Sequence, residues 1–291
     1  MFFGSIPALV TPFSKGRVAE DTFAEFVEWQ IAEGSNGLVP CGTTGEVATL
    51  SSDEHRNVVA TAVEAAKARV PVIAGCGTYD TAASIERIRA AADVGADAAL
   101  VVVPYYNKPS QAGLAAHFLA IADESPLPII VYNVPSRTVA DISVETLARV
   151  AKHPKIVAIK DATGNLGRVS AQRLACGEDF IQLSGNDDMA LGFNAMGGVG
   201  CISVTANVAP KLCSDFQKAT REGRWEDALK LQDALYPLHC ALFTDASPAP
   251  TKYALSRLKN DFPSDLRLPL VEASAESKDA VDSALQHAEL I

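Results

Sequence analysis

Short apolar runs recur along the chain, separated by longer amphipathic stretches. The runs cover residues 5–11, 37–42, 70–77, 96–104, 128–135, 156–163, 180–185 and 200–206. Most are rich in β-branched residues and too short for helices, so they read as strands buried on both faces. Their starts lie 20 to 33 residues apart, room for one helix and two loops. The intervening stretches read as helices over 21–33, 52–69, 81–94, 111–123, 143–151, 165–176, 187–196 and 210–222. The first places Phe23, Phe26, Val27 and Ile31 near one face, and the second opens on the polar start Ser52-Asp53-Glu54-His55.

Strand–helix units in series, each strand apolar throughout, predict a parallel sheet covered by helices. Eight such units close into a (β/α)8 TIM barrel. An open, doubly wound sheet is the alternative. It would more often carry a glycine-rich dinucleotide fingerprint after its first strand, where this chain has Pro12-Phe13-Ser14-Lys15-Gly16. Residues 1–223 are therefore assigned to a catalytic barrel. Residues 224–291 form a C-terminal helical appendage with helices over 225–243, 249–260 and 274–288, and residues 244–250 are the clearest loop.

Composition narrows the function. A hydrophobic fraction of 48% supplies a large core, and the net charge of −10 argues against a nucleic-acid partner. No apolar run reaches the length of a membrane span. The N-terminus lacks a basic region before its apolar residues, so a targeting peptide is not expected. The six cysteines, Cys41, Cys76, Cys176, Cys201, Cys213 and Cys240, form no CxxC pair. They read as mostly buried apolar side chains in a reducing, cytoplasmic protein. The histidines His55, His117, His153, His239 and His287 end no strand and show no ligand spacing, so no metal site is expected.

In a barrel, chemistry sits where strands end. Lys160 ends the sixth run, Ile156-Val157-Ala158-Ile159. A lysine withdrawn from water there is a snorkelling side chain on the bland reading and an imine-forming nucleophile on the sharper one. Other strand ends bring Gly42-Thr43-Thr44-Gly45-Glu46, whose flanking glycines suit a carboxylate cradle. They also bring Pro104-Tyr105-Tyr106-Asn107, Tyr132-Asn133-Val134-Pro135-Ser136-Arg137, Gly185-Asn186-Asp187 and Ile202-Ser203. Each is weak alone. Together they set an amine, phenols, hydroxyls and a guanidinium around one barrel mouth, as imine chemistry on carboxylate substrates requires. A phosphate-handling barrel fits less well, because Gly197, Gly198 and Gly200 precede the last strand and lie toward the opposite face.

These motifs, with Ile159-Lys160-Asp161-Ala162-Thr163-Gly164 and Ile202-Ser203-Val204-Thr205-Ala206-Asn207, resemble the pyruvate-dependent class I aldolases. Within them the chain is similar to the dihydrodipicolinate synthase family along its whole length, and Arg137 is what points there. The resemblance implies an imine between Lys160 and pyruvate, with Thr43 and Thr44 on the pyruvate carboxylate. It implies Tyr132 as general acid and base, relayed through Thr43 to Tyr106 of a neighbouring subunit. Arg137 would bind the carboxylate of L-aspartate-4-semialdehyde, with Gly185 and the Ile202 carbonyl lining the pocket. No cofactor or metal, a homotetramer built as a dimer of dimers, and no nucleic-acid or membrane partner are implied.

The chain departs from the commonest family pattern at Asp161, Val47 and Asn186, none of which holds these roles. The positions of a lysine-inhibition site, Val47, Ala48, Ser52, His55, Tyr79, Ala83 and Tyr105, are degenerate, with Ala83 where sensitive relatives carry a glutamate. Two other readings stand beside this one. A pyruvate-releasing lyase of the same superfamily, acting on N-acetylneuraminate or a keto-sugar acid, would generally lack an arginine at 137. A non-catalytic keto-acid-binding homologue would be expected to have gaps in the lysine, tyrosine, threonine and arginine set.

Overall fold

A computed structural model describes residues 2–259 and 261–291. Met1, at the start of the predicted barrel segment, and Asn260, at the predicted end of a helix, lie outside the described residues. The chain opens on β1 (Gly4–Pro7), a small antiparallel hairpin of β2 (Phe13–Ser14) and β3 (Arg17–Val18), and α1 (Glu20–Ala32). Then come α2 (Ser52–Ala66), β4 (Ile73–Gly75), α3 (Thr81–Asp93), β5 (Ala98–Val102), α4 (Gln111–Glu124) and β6 (Ile129–Asn133). The single-turn α5 (Pro135–Thr138), α6 (Val144–Val150), β7 (Ile156–Asp161), α7 (Gly167–Cys176) and β8 (Ile181–Ser184) follow. The chain continues through α8 (Ala190–Ala195), β9 (Gly200–Ser203) and α9 (Pro210–Arg221) to α10 (Trp225–Ala241), α11 (Ala249–Leu258) and α12 (Ala275–His287).

The strands form one parallel sheet in the order β1-β9-β8-β7-β6-β5-β4. The ring closes through the predicted second strand, which is shorter than its apolar run suggested. Only Leu38 and Val39 bridge, to Val72 and Ala8. Their backbones carry the closure, with Val39 N–H on the Pro7 carbonyl (2.9 Å) and Ile73 N–H on the Leu38 carbonyl (2.8 Å). Pro40 has no N–H to continue the ladder, and Cys41 turns to φ 56°. The chain leaves the barrel there to form the glycine-threonine turn.

Alternation along the strands sorts the core into two shells. Ile130 and Tyr132 of β6, Ala158 of β7, Leu183 of β8 and Ile202 of β9 fill the barrel interior. Ile129, Val131 and Ile159 pack outward against the helices. Lys160 lies two residues beyond Ala158 and so stands on the interior side. The predicted helices appear within a few residues of their expected bounds, with two differences. The stretch 187–196 is a 3-10 turn over Asp187–Met189 before α8, and the short helix α5 is an addition to the predicted set. Helix α2 begins at Ser52 as expected, and the residue before it is the cap. Ser51 accepts from Glu54 N–H, and the Glu54 carboxylate accepts from Ser51 N–H, a reciprocal capping box. Among the described residues, no helix is long and apolar enough to cross a membrane.

Candidate active site

The strand ends surround a cavity of about 470 Å³. Lys160 lies in its wall, 6% exposed. The parallel register pairs Lys160 with Tyr132 on β6 and Leu183 on β8, and the Lys160 ammonium nitrogen stands 4.2 Å from the centroid of the Tyr132 ring. Gly185, just past β8, leaves the lysine its room. A Cβ there would sit 2.7 Å from the Ala162 Cβ and 3.1 Å from the Lys160 Cε.

The other walls come from loops. Thr43 and Thr44 enter from the Gly42-Glu46 turn, Thr43 exposed and Thr44 buried. Gly45 N–H bonds the Gly42 carbonyl (3.1 Å), and Glu46 N–H the Thr43 carbonyl (3.1 Å). The Thr11 hydroxyl donates to the Gly45 carbonyl at 2.7 Å and pins the turn to the first strand loop. Helix α5 carries Ser136 and Arg137 into the cavity, with the guanidinium-bearing residue exposed. An exposed guanidinium on a short turn is free to meet a carboxylate in bidentate fashion.

Buried carboxylates lock the strand ends. Asp161 accepts from Thr163 N–H (2.9 Å), the Thr163 hydroxyl (2.6 Å) and the Gln172 amide (2.7 Å). Asp187 accepts from the Ser203 hydroxyl, Val204 N–H (2.9 Å) and Thr205 N–H (3.2 Å), tying the end of β8 to that of β9.

Six of the sequence-derived candidates thus meet at one cavity: Lys160, Tyr132, Thr43, Thr44, Arg137 and Gly185. Two do not line it. Ile202 is buried within the barrel interior, and Tyr106, at φ 64°, projects from its loop at 95% exposure. Of the degenerate lysine positions, Val47, Ala48 and Tyr105 line a neighbouring cavity of about 300 Å³, with Tyr79 edge-on to Tyr105 at 5.3 Å. His55 is turned inward onto the Gly75 carbonyl (2.8 Å), and burial pushes it below the usual histidine range. Ser52 is exposed at the start of α2, and Ala83 lies in the first turn of α3.

Sequence reasoning did not find the wall that the C-terminal region supplies: His239 and Cys240 of α10, then Phe243 and Ser247. Their proximity depends on α10 packing along α9, which no local motif announces. All six cysteines are free, and Cys240 is the exposed one. No group of three or more His, Cys, Asp or Glu side chains among the described residues is placed to hold a metal ion.

An amine in a barrel-mouth cavity, flanked by a phenol, two hydroxyls and a guanidinium, is the apparatus of imine chemistry on a keto acid. The sequence model of the Dihydrodipicolinate synthetase family matches residues 1–288, and the chain belongs to that family. It is 65% identical over 291 residues to 4-hydroxy-tetrahydrodipicolinate synthase of Zymomonas mobilis, covering 100% of both chains. The solved dihydrodipicolinate synthase of Aquifex aeolicus superposes with a TM-score of 0.97 at 41% identity, covering 99% of each chain. The enzyme from Cyanidioschyzon merolae with lysine bound superposes at 0.95 with 36% identity, over 99% of each chain.

Proposed function

We propose that this chain condenses pyruvate with L-aspartate-4-semialdehyde to give (4S)-4-hydroxy-2,3,4,5-tetrahydrodipicolinate, on the diaminopimelate route to lysine. The reaction named for its full-length relatives supports this reading. The observation that carries it is the Lys160 amine inside a cavity that Tyr132 and Arg137 share.

Thr43 and Thr44, with the N–H groups of their turn, hold the pyruvate carboxylate. The Lys160 amine adds to the ketone, and loss of water leaves an imine. Removal of a methyl proton gives an enamine, whose carbon attacks the aldehyde of the semialdehyde. Tyr132 gives and takes the protons, relayed through Thr43 to Tyr106. The exposed Tyr106 reaches a neighbouring copy in a homotetramer arranged as a dimer of dimers. Arg137 binds the semialdehyde carboxylate, and Gly185 lines the pocket. The amino group then attacks the imine carbon, the ring closes and Lys160 leaves. The protonated imine on Lys160 is the electron sink, so the reaction calls on no metal or cofactor. The cytoplasm, where thiols stay reduced, suits six free cysteines.

The test is product formation from the two substrates, run beside pyruvate release from N-acetylneuraminate and keto-deoxygluconate. Condensation abolished by Lys160→Ala supports the proposal. Pyruvate release without condensation would replace it with a lyase.

A further inference from the structure

The turn that carries Thr43 and Thr44 leaves the barrel at Glu46, whose φ is 55°. A residue with a side chain stays in that region only when its surroundings hold it there. Here the surroundings come mainly from α11 and the segment that follows it. The Lys252 ammonium on α11 lies 2.5 Å from a Glu46 carboxylate oxygen, and the two side chains are 0% and 1% exposed. The same ammonium donates to the Asp265 carbonyl at 2.7 Å and lies 4.4 Å from the Phe13 ring centroid. The other Glu46 oxygen accepts from Arg267 N–H at 3.1 Å. Glu46 N–H in turn bonds the Thr43 carbonyl, so a shift of Glu46 re-aims the two threonines.

We infer that Lys252 is a positioning residue for the keto-acid carboxylate, fixing through its buried ion pair with Glu46 the turn that presents Thr43 and Thr44. The inference rests on the imine chemistry proposed for Lys160. A buried ion pair is a poor source of stability, because both charges have given up water. Burial pushes Lys252 below the usual lysine range, with Glu46 opposing that push. What the pair supplies is a fixed geometry at the point where the appendage meets the site.

The double variant Glu46→Gln/Lys252→Met removes both charges and approximately keeps both shapes, so no lone charge stays buried. It is expected to melt near the wild-type temperature while its KM for pyruvate rises about tenfold, the loss of one charge-assisted contact. Its KM for the semialdehyde should stay unchanged. Borohydride trapping of the pyruvate imine should need about tenfold more pyruvate for half-labelling. Lys252→Arg keeps the charge but displaces it, and should raise the same constant; it decides the matter if the double variant does not fold. A pyruvate KM at the wild-type value, or both KM values rising together, overturns the inference. Wild-type protein that traps no imine at Lys160 would instead remove the chemistry on which the inference rests.

Discussion

At the scale of the residue, the site depends on space as much as on functional groups. Gly185 is glycine because the Lys160 methylene chain and Ala162 occupy the volume a Cβ would need. Gly185→Ala is expected to cut kcat/KM about 10²-fold, as a displaced nucleophile does, in a protein that still folds. Steady-state kinetics beside a thermal melt check this, and wild-type turnover would mean that the lysine has slack. Arg137 faces the cavity from an exposed turn. Its removal should raise the KM for the semialdehyde far more than that for pyruvate. A charge-assisted contact is worth about 1.5–3 kcal/mol, or roughly 10- to 150-fold. Equal effects on both substrates would mean that Arg137 shapes the cavity without reading the second carboxylate. Lys160 and Gly185 were legible in the sequence because each directly follows a run of mostly apolar residues. His239 and Cys240 were not, because their place at the cavity is made by helix packing across more than fifty residues of chain from Gly185.

At the scale of the element, strand periodicity does most of the positioning. Tyr132 and Lys160 face each other because each is the last interior residue of its strand and the register pairs them. A one-residue slip of either strand would turn its own residue outward. The barrel was readable from this pattern. The second strand was overread because its apolar run continues past the point where Pro40 and Cys41 end the ladder. Helices α2 and α3 carry three of the seven positions proposed for lysine inhibition, Ser52, His55 and Ala83, and here side-chain chemistry outweighs placement. Ala83 offers no carboxylate to an ammonium, and His55 is committed to the Gly75 carbonyl. A missing charge-assisted bond of about 1.5–3 kcal/mol would carry a sub-millimolar inhibitor past about 1 mM. L-Lysine is therefore expected to inhibit weakly or not at all. A steady-state titration at subsaturating pyruvate checks this, and half-inhibition well below about 1 mM would show a rebuilt site.

At the scale of the whole molecule, burial sets the pH range of stability. His117 is buried with its Nδ1 2.9 Å from the Thr81 hydroxyl, and burial pushes it down to about 4. His55 and His239 are pushed down by the same cause. An unfolded histidine binds its proton near pH 6.5, so between about 6.5 and 4 the unfolded chain holds more protons than the folded one. Stability should fall as pH falls through that window and be restored in full above it. Urea denaturation at several pH values checks this, and His117→Gln should flatten the slope; an unchanged slope would place the loss elsewhere. The same whole-molecule packing brings α10 and α11 to the barrel mouth, so that barrel, turn and appendage all serve one amine. Covalent trapping tests whether that amine is the nucleophile. The protein is incubated with pyruvate and borohydride, digested, and its peptides weighed. The reduced pyruvate adduct is expected on Lys160 and on no other lysine. An adduct on a different lysine, or none in a preparation that turns over, would contradict that role.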